Sequence, residues 1–332
     1  MKKLFVAVLA VAALASCAQE DVILNNDKAI SFGDAYVANS TKAIYEGTNY
    51  VQAFQVWGTV TPNGDTQSVV LYEGANVTRP AGLAGYNPET PWTCDVQRFW
   101  TPNCDYAFYA VVDSREQKDA NGKIVPNANV TADKGVPTSI AYTADGQNDL
   151  LYGATTKNVG DDASNPGLVA FKMEHLLSKI TFKVTNPAKN GDYSYNVKSI
   201  SVSGAYEKST YDIAAGTWAT GTGAMANLLF GSATGIESGN THTFDKSFVI
   251  IPGKPELAIA IEVQTVFNGT AVGTQTHNLS VNKSGDKTQI DFAKNTHYNF
   301  VVALEGGKPI DFTIGSVGPF TTPATGGDVT IQ

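Results

Sequence analysis

Apolar side chains along this 332-residue chain recur at every second position and almost nowhere at helical spacing. Leu257, Ile259, Ile261 and Val263 alternate with Ala258, Ala260, Glu262 and Gln264, the pattern of a strand with one buried face. Tyr298, Phe300, Val302 and Leu304 repeat it, as do Phe54, Val56 and Val60. Residues 106–112 are apolar on both parities, which predicts a central strand covered on two sides. Between the runs stand clusters of turn formers such as Thr61-Pro62-Asn63-Gly64-Asp65 and Ser284-Gly285-Asp286. They supply positive φ or side-chain caps to tight turns. Short strands with such punctuation predict an all-β chain built of β-sandwiches.

The length leaves room for two such domains. Residues 158–167 have linker composition, so the division is drawn between an N-terminal domain, 43–165, and a C-terminal domain, 166–332. Just beyond, Val169, Phe171, Met173 and His175 share one parity and Ile180, Phe182 and Val184 the other. The change predicts a bulge or a single helical turn near residues 176–179.

The first 16 residues read as an export signal. Lys2 and Lys3 precede an apolar run, 4–14, too short to span a bilayer. Its ending, Leu14-Ala15-Ser16-Cys17, resembles a bacterial lipobox. The resemblance implies that Cys17 is acylated and begins a lipidated segment, 17–42, anchored in the outer membrane, each buried CH₂ adding about 0.8 kcal/mol. Losing a leader with two lysines moves the formal charge from −8 to near −10. That balance excludes nucleic acid as a partner. Of the remaining cysteines, Cys94 and Cys104 flank a short loop. Export permits a disulfide between them, and free thiols are the alternative.

Nothing in the chain points to catalysis. His175, His242, His277 and His297 lack metal-ligand spacing, and no nucleophile elbow, P-loop or strand-linked GxGxxG occurs. The expectation is therefore no enzyme, no metal and no cofactor. His175, at the parity change, reads as a structural histidine. Trp92 and Trp100, near Phe99, Tyr106 and Tyr109, offer one binding reading, a sugar-stacking platform, against the plainer reading as core.

Several segments in order resemble the Bacteroidetes fimbrillins, the Mfa-like ones most closely. Gln97-Arg98-Phe99-Trp100-Thr101-Pro102 leads into Tyr106-Ala107-Phe108-Tyr109-Ala110. Asn148-Asp149-Leu150-Leu151-Tyr152-Gly153 is similar to the family's Asp-Leu-x-Tyr-Ala segment, with Gly for Ala. Phe171-x-Met173-x-His175-Leu176-Leu177-Ser178-Lys179-Ile180 is similar to its His-x-Leu-Ser-Lys strand. The acidic Gln19-Glu20-Asp21 after Cys17 resembles a surface-export signal of Bacteroidetes lipoproteins. The resemblance implies two tandem Greek-key, transthyretin-like sandwiches at the cell surface. It also implies proteolytic removal of the first strand, after which a strand from another subunit fills the opened groove.

The chain's ends suit those roles. Ile30 and Phe32 alternate with Ser31 and Gly33, and Thr41-Lys42-Ala43 follows. Lys42 is the preferred cleavage point and Lys28 the second, with no arginine before Arg79. At the C-terminus two segments alternate and are candidate donor strands, Ile310, Phe312 and Ile314 in one, Val329 and Ile331 in the other. The leading expectation is a shaft subunit whose partners are other copies or related subunits. The alternatives are a tip adhesin or surface glycan-binding lipoprotein with a host or bacterial glycan or protein receptor, and an anchor that keeps its acylated Cys17.

Overall fold

The computed structural model describes residues 29–33, 35–37, 51–82, 89–115, 117–118, 124–125, 129–161, 166–188, 191–284, 289–305 and 311–319. In chain order the first strands are β1 (Tyr36–Val37), β2 (Ala53–Pro62), β3 (Val69–Thr78), β4 (Thr93–Cys94), β5 (Cys104–Asp113), β6 (Gln117–Lys118) and β7 (Ile124–Val125). Then come β8 (Asn129–Asp133), β9 (Val136–Thr143), β10 (Leu150–Val159), β11 (Lys172–His175), β12 (Ser178–Thr185), β13 (Tyr193–Ser203) and β14 (Lys208–Asp212). The last are β15 (Thr217–Trp218), β16 (Leu228–Ile236), β17 (Thr241–Thr243), β18 (Phe248–Ile250), β19 (Leu257–Phe267), β20 (Thr270–Val281), β21 (Thr296–Ala303) and β22 (Asp311–Pro319). Among the described residues there is no helix, as the period-two pattern predicts.

A seven-stranded sheet runs β1-β11-β10-β5-β2-β3-β4. Only its β1–β11 pair is parallel. A second sheet runs β17-β12-β21-β22, with β18 also on β12; a third runs β16-β13-β19-β20 and a fourth β15-β14-β9-β8. The short β6–β7 pair stands apart.

Two hydrophobic cores follow from these layers. Phe54, Val56, Tyr72, Val77, Phe108 and Phe171 build the first, beneath one face of the seven-stranded sheet. Ile180, Phe182, Phe300, Val202, Ile259 and Ile261 build the second, between the sheets of β12–β21 and β13–β19. The inward parities of 257–263 and 298–304 are buried as expected. β5 is the central strand its double parity predicts. Phe108 and Val112 face the first core while Val111 packs into the second cluster from the opposite face.

The parity change after His175 has a different cause from the one expected. No bulge or helical turn intervenes; the chain leaves one sheet with β11 and enters another with β12. Val169, Phe171 and Met173 complete the first core, and Leu176 and Leu177 enter the second. A division at 165/166 separates those three side chains from the core they fill.

Candidate functional site: the slot filled by the N-terminal segment

Residues 29–37 lie in a slot and are flanked on both sides. On one side Ala29 bridges Phe99 and Phe32 bridges Trp92, both antiparallel. On the other Phe32 bridges Val169 in parallel, and Tyr36 and Val37 pair with Lys172 and Met173 of β11. Beyond the β1–β11 pairing, backbone hydrogen bonds on both sides tie the segment down. Ile30 N–H donates to the Arg98 carbonyl at 2.8 Å and Trp92 N–H to the Phe32 carbonyl at 2.8 Å. Gly33 N–H donates to the Val169 carbonyl at 2.9 Å and Val169 N–H to the Ser31 carbonyl at 2.8 Å.

Its side chains complete the first core. Ile30, Phe32 and Ala35 are buried, Phe32 at 0 % exposure. The Phe32 ring meets Tyr72 at 5.6 Å, Phe54 and Phe108 at 6.0 Å, and Phe171 at 6.3 Å between centroids. The first three contacts are edge-on, the arrangement aromatic quadrupoles favour. Emptying this socket exposes four rings at once. Burial also drives the Tyr72 phenol far up from its ordinary pKa, keeping it neutral beneath the segment.

The wall facing Ile30 is the Arg98-Phe99-Trp100-Thr101 run. Arg98 Nε donates to the Leu71 carbonyl at 3.0 Å, which fixes the carbonyl that Ile30 uses. Trp100 lies edge-on to Tyr106 at 4.8 Å, and Thr101 N–H donates to the Tyr106 hydroxyl at 2.6 Å. Trp92 and Trp100 are therefore not a sugar platform. Each is 4 % exposed, because its ring is needed to close the first core. Alternating aromatics alone do not show which face they occupy.

The opposite wall, β11, is held from behind. Gly153 of β10 lets it come close, since a Cβ there would meet Met173 Sδ at 2.8 Å and the Lys172 carbonyl at 2.9 Å. At its end His175 Nδ1 pairs with Asp149 Oδ2 at 2.5 Å, both side chains buried. Asp149 N–H donates to Ser114 Oγ at 2.6 Å, and Leu150 N–H to Asp149 Oδ1 at 2.8 Å. Upstream, Asp145 accepts hydrogen bonds from the backbone of Gln147 and from both the backbone and the amide of Asn148. Burial pushes the Asp145 carboxyl up, yet these hydrogen bonds outweigh it and hold its pKa below the ordinary value. The two motifs carrying Asp149 and His175 thus meet as a structural clamp where the chain passes between cores. Sequence spacing hides this pairing, because the partners lie on different segments.

Of the other residues singled out in the sequence, Cys17, Lys28, Lys42, Ile310, Val329 and Ile331 lie outside the described residues. Phe312 and Ile314 stand on β22, an edge strand whose only sheet partner among the described residues is β21, and Ile314 is 7 % exposed. No disulfide joins Cys94 and Cys104. β3 and β2 separate their strands in the sheet order, and strands are spaced about 4.8 Å apart. Among the described residues no group of three His, Cys, Asp or Glu is placed to hold a metal ion.

Residues 41–316 match the model of a family described as fimbrillin-like. Among solved structures, a fimbrial protein from Bacteroides vulgatus is similar, with 17 % identity and a TM-score of 0.58 over 89 % of this chain and 100 % of that one. A proposed cell adhesion protein from Bacteroides uniformis is similar at 15 % identity and a TM-score of 0.51, over 89 % of this chain and 99 % of that one. No curated protein matches the chain.

Proposed function

The chain belongs to the fimbrillin-like family, and from that premise we propose that it is a structural, non-enzymatic shaft subunit of a cell-surface fimbria. In this reading it is exported as a lipoprotein through Cys17 and held in the outer membrane with its slot closed by residues 29–37. Cleavage after Lys42 releases lipid and plug together. A strand from another subunit then fills the slot.

The observation that carries the reading is the doubly flanked segment with Phe32 at its centre. Withdrawing it leaves an apolar trough bordered by unpaired backbone groups, which an extended strand satisfies by β-augmentation. The order of the residues favours Lys42 over Lys28 as the cleavage point. Lys28 precedes Ile30 and Phe32, so a cut there leaves the plug on the subunit; a cut after Lys42 detaches it.

The sequence of the plug favours one of the two candidate donors. Aligned without gaps, Ile30, Phe32, Ala35 and Val37 fall on Ile310, Phe312, Gly315 and Val317, while Ile314 falls where Asp34 stands. The 310–317 segment therefore offers a large ring for the Phe32 socket at the right spacing. Val329 and Ile331 offer no aromatic residue. As an edge strand, β22 also leaves its sheet without breaking interior ladders. Once seated, a fully flanked donor dissociates slowly, so the polymer's persistence is kinetic.

Mass spectrometry of the surface protein's N-terminus tests this. A mature chain beginning at Ala43 supports the polymerised subunit. An intact acylated Cys17 in assembled fibres overturns it in favour of an anchor.

A further inference from the structure

Of the four tryptophans, Trp57, Trp92 and Trp100 are at most 5 % exposed and belong to the cores, whereas Trp218 is only partly buried. It stands on β15, in the fourth sheet. Its indole Nε1–H donates to the Leu176 carbonyl at 2.7 Å, and its ring lies 5.4 Å from Tyr211 and 6.4 Å from Tyr142 between centroids. With its polar atom committed to the backbone, the ring is held in place where it lines a cavity of about 450 Å³.

Tyr206 lines the same cavity, and two glycines make room for it. A Cβ at Gly221 would meet Tyr206 Cγ at 2.2 Å, and one at Gly253 would lie 3.6 Å from Tyr206 Cε2. Gly253 is in turn bridged to Phe292, each N–H donating to the other's carbonyl at 2.8 Å. That antiparallel bridge sets Lys254 opposite Asp291, Nζ to Oδ2 3.9 Å, with both side chains more than half exposed. A contact so open adds little to stability. Ala219 and Thr220 also line a second cavity, of about 800 Å³, so the two adjoin. The lining there is largely hydroxylic, with Thr143, Ser209, Thr210 and Thr222.

We propose that the two cavities form one binding site for an extended saccharide, a pyranose ring seated against Trp218 and Tyr206 and the next unit crossing Thr220 into the hydroxyl-lined cavity. The C–H face of a pyranose suits the negative face of an aromatic ring. Its hydroxyls both donate and accept hydrogen bonds, so they need partners of both kinds. Lys254, which only donates, stands beside Asp291, which only accepts, and vicinal hydroxyls find one of each. An apolar small molecule suits pockets lined predominantly by hydrophobic side chains, which the larger cavity is not. Two adjoining cavities fit a chain of sugar units better than a single one. On the proposed shaft role, repetition of the site along a fibre turns weak single-site binding into avidity.

Mucin-type host glycans and bacterial surface polysaccharides share this chemistry. The full, uncut chain is therefore applied to an array carrying mucin-type O-glycans in one arm and fragments of bacterial polysaccharides in the other. The oligosaccharide that binds is then titrated while tryptophan fluorescence is followed. At least one arm should bind, and which one identifies the source. Lys254→Ala with Asp291→Ala should weaken binding at least about tenfold while leaving thermal unfolding unchanged, and Tyr206→Ala should weaken it as much. Trp218→Phe, which keeps a ring, should abolish the fluorescence shift. Silence in both arms, binding that either of the first two variants leaves unchanged, or a shift that persists in Trp218→Phe would each overturn the proposal. Strand exchange plays no part in the uncut chain, so none of these outcomes bears on the slot.

Discussion

Residues 29–37 and β22 are near-matches in sequence placed in opposite structural settings. The first carries Ile30-x-Phe32 and the second, with Ile310 just ahead of it in sequence, Ile310-x-Phe312, each followed by a small residue and a valine. The N-terminal copy is bordered on two sides and buries Phe32 among four rings. Among the described residues the C-terminal copy pairs with β21 alone, and Val317 on it is 51 % exposed. The difference teaches that the same short pattern serves as a core element in one place and as an edge strand in another. What separates them is the number of flanking strands, not the side chains.

The largest effect should come from removing the plug without supplying a donor. A chain beginning at Ala43 and lacking residues 310–332 loses Ile30, Phe32 and Ala35 from the first core, a deficit of at least about 5 kcal/mol. Denaturant titration should show early unfolding of that core or aggregation, whereas loss of 310–332 alone should leave it intact. Equal losses from both deletions would erase the comparison.

Clamp and socket substitutions come next. His175→Ala strands a buried Asp149 at the end of β11 and should cost about 3–5 kcal/mol. Phe32→Ala should cost a similar 3–5 kcal/mol by opening a cavity among rings. Ile314→Ala on β22 should cost nearer 2 kcal/mol, as it leaves an edge cavity that can collapse. Val317→Ala should stay within about 0.5 kcal/mol. An Ile314 loss exceeding that of Phe32 would reverse the ranking of the two segments.

A further small effect depends on pH. Hydrogen bonds hold the Asp145 carboxyl below its ordinary value of 3.8, so its stabilisation is present above that pH and fades as the pH falls through the lower folded value. Asp145→Asn should therefore cost about 1 kcal/mol or less at pH 7 and nothing once the wild-type carboxyl is protonated. A constant difference between the two proteins across that range would show that Asp145 does not brace the clamp through its charge.

Much of the fold was legible because alternation reports burial directly. The inward faces of β19 and β21 and the two-sided cover of β5 follow from parity alone. The site was less legible. Ile30 and Phe32 stood out as a strand, but their two flanks come from residues 92–99 and 169–173, contacts far apart in sequence that no local pattern encodes. Trp92 and Trp100 misled for a related reason. Aromatic spacing marks a surface without saying whether it faces solvent or the core. The shift in parity after His175 recorded a real event, yet a change of sheet and a bulge leave the same trace in sequence.

The central claim is that the socket vacated by Phe32 is refilled by Phe312 of another subunit. Its most direct measurement is polymer formation, followed by electron microscopy and light scattering, after cleavage of the full chain at Lys42. Phe312→Asp should cut normally and fail to polymerise, while Val329→Asp with Ile331→Asp should polymerise like the wild type. Normal polymers from Phe312→Asp, or their loss only in the 329/331 variant, would contradict the account.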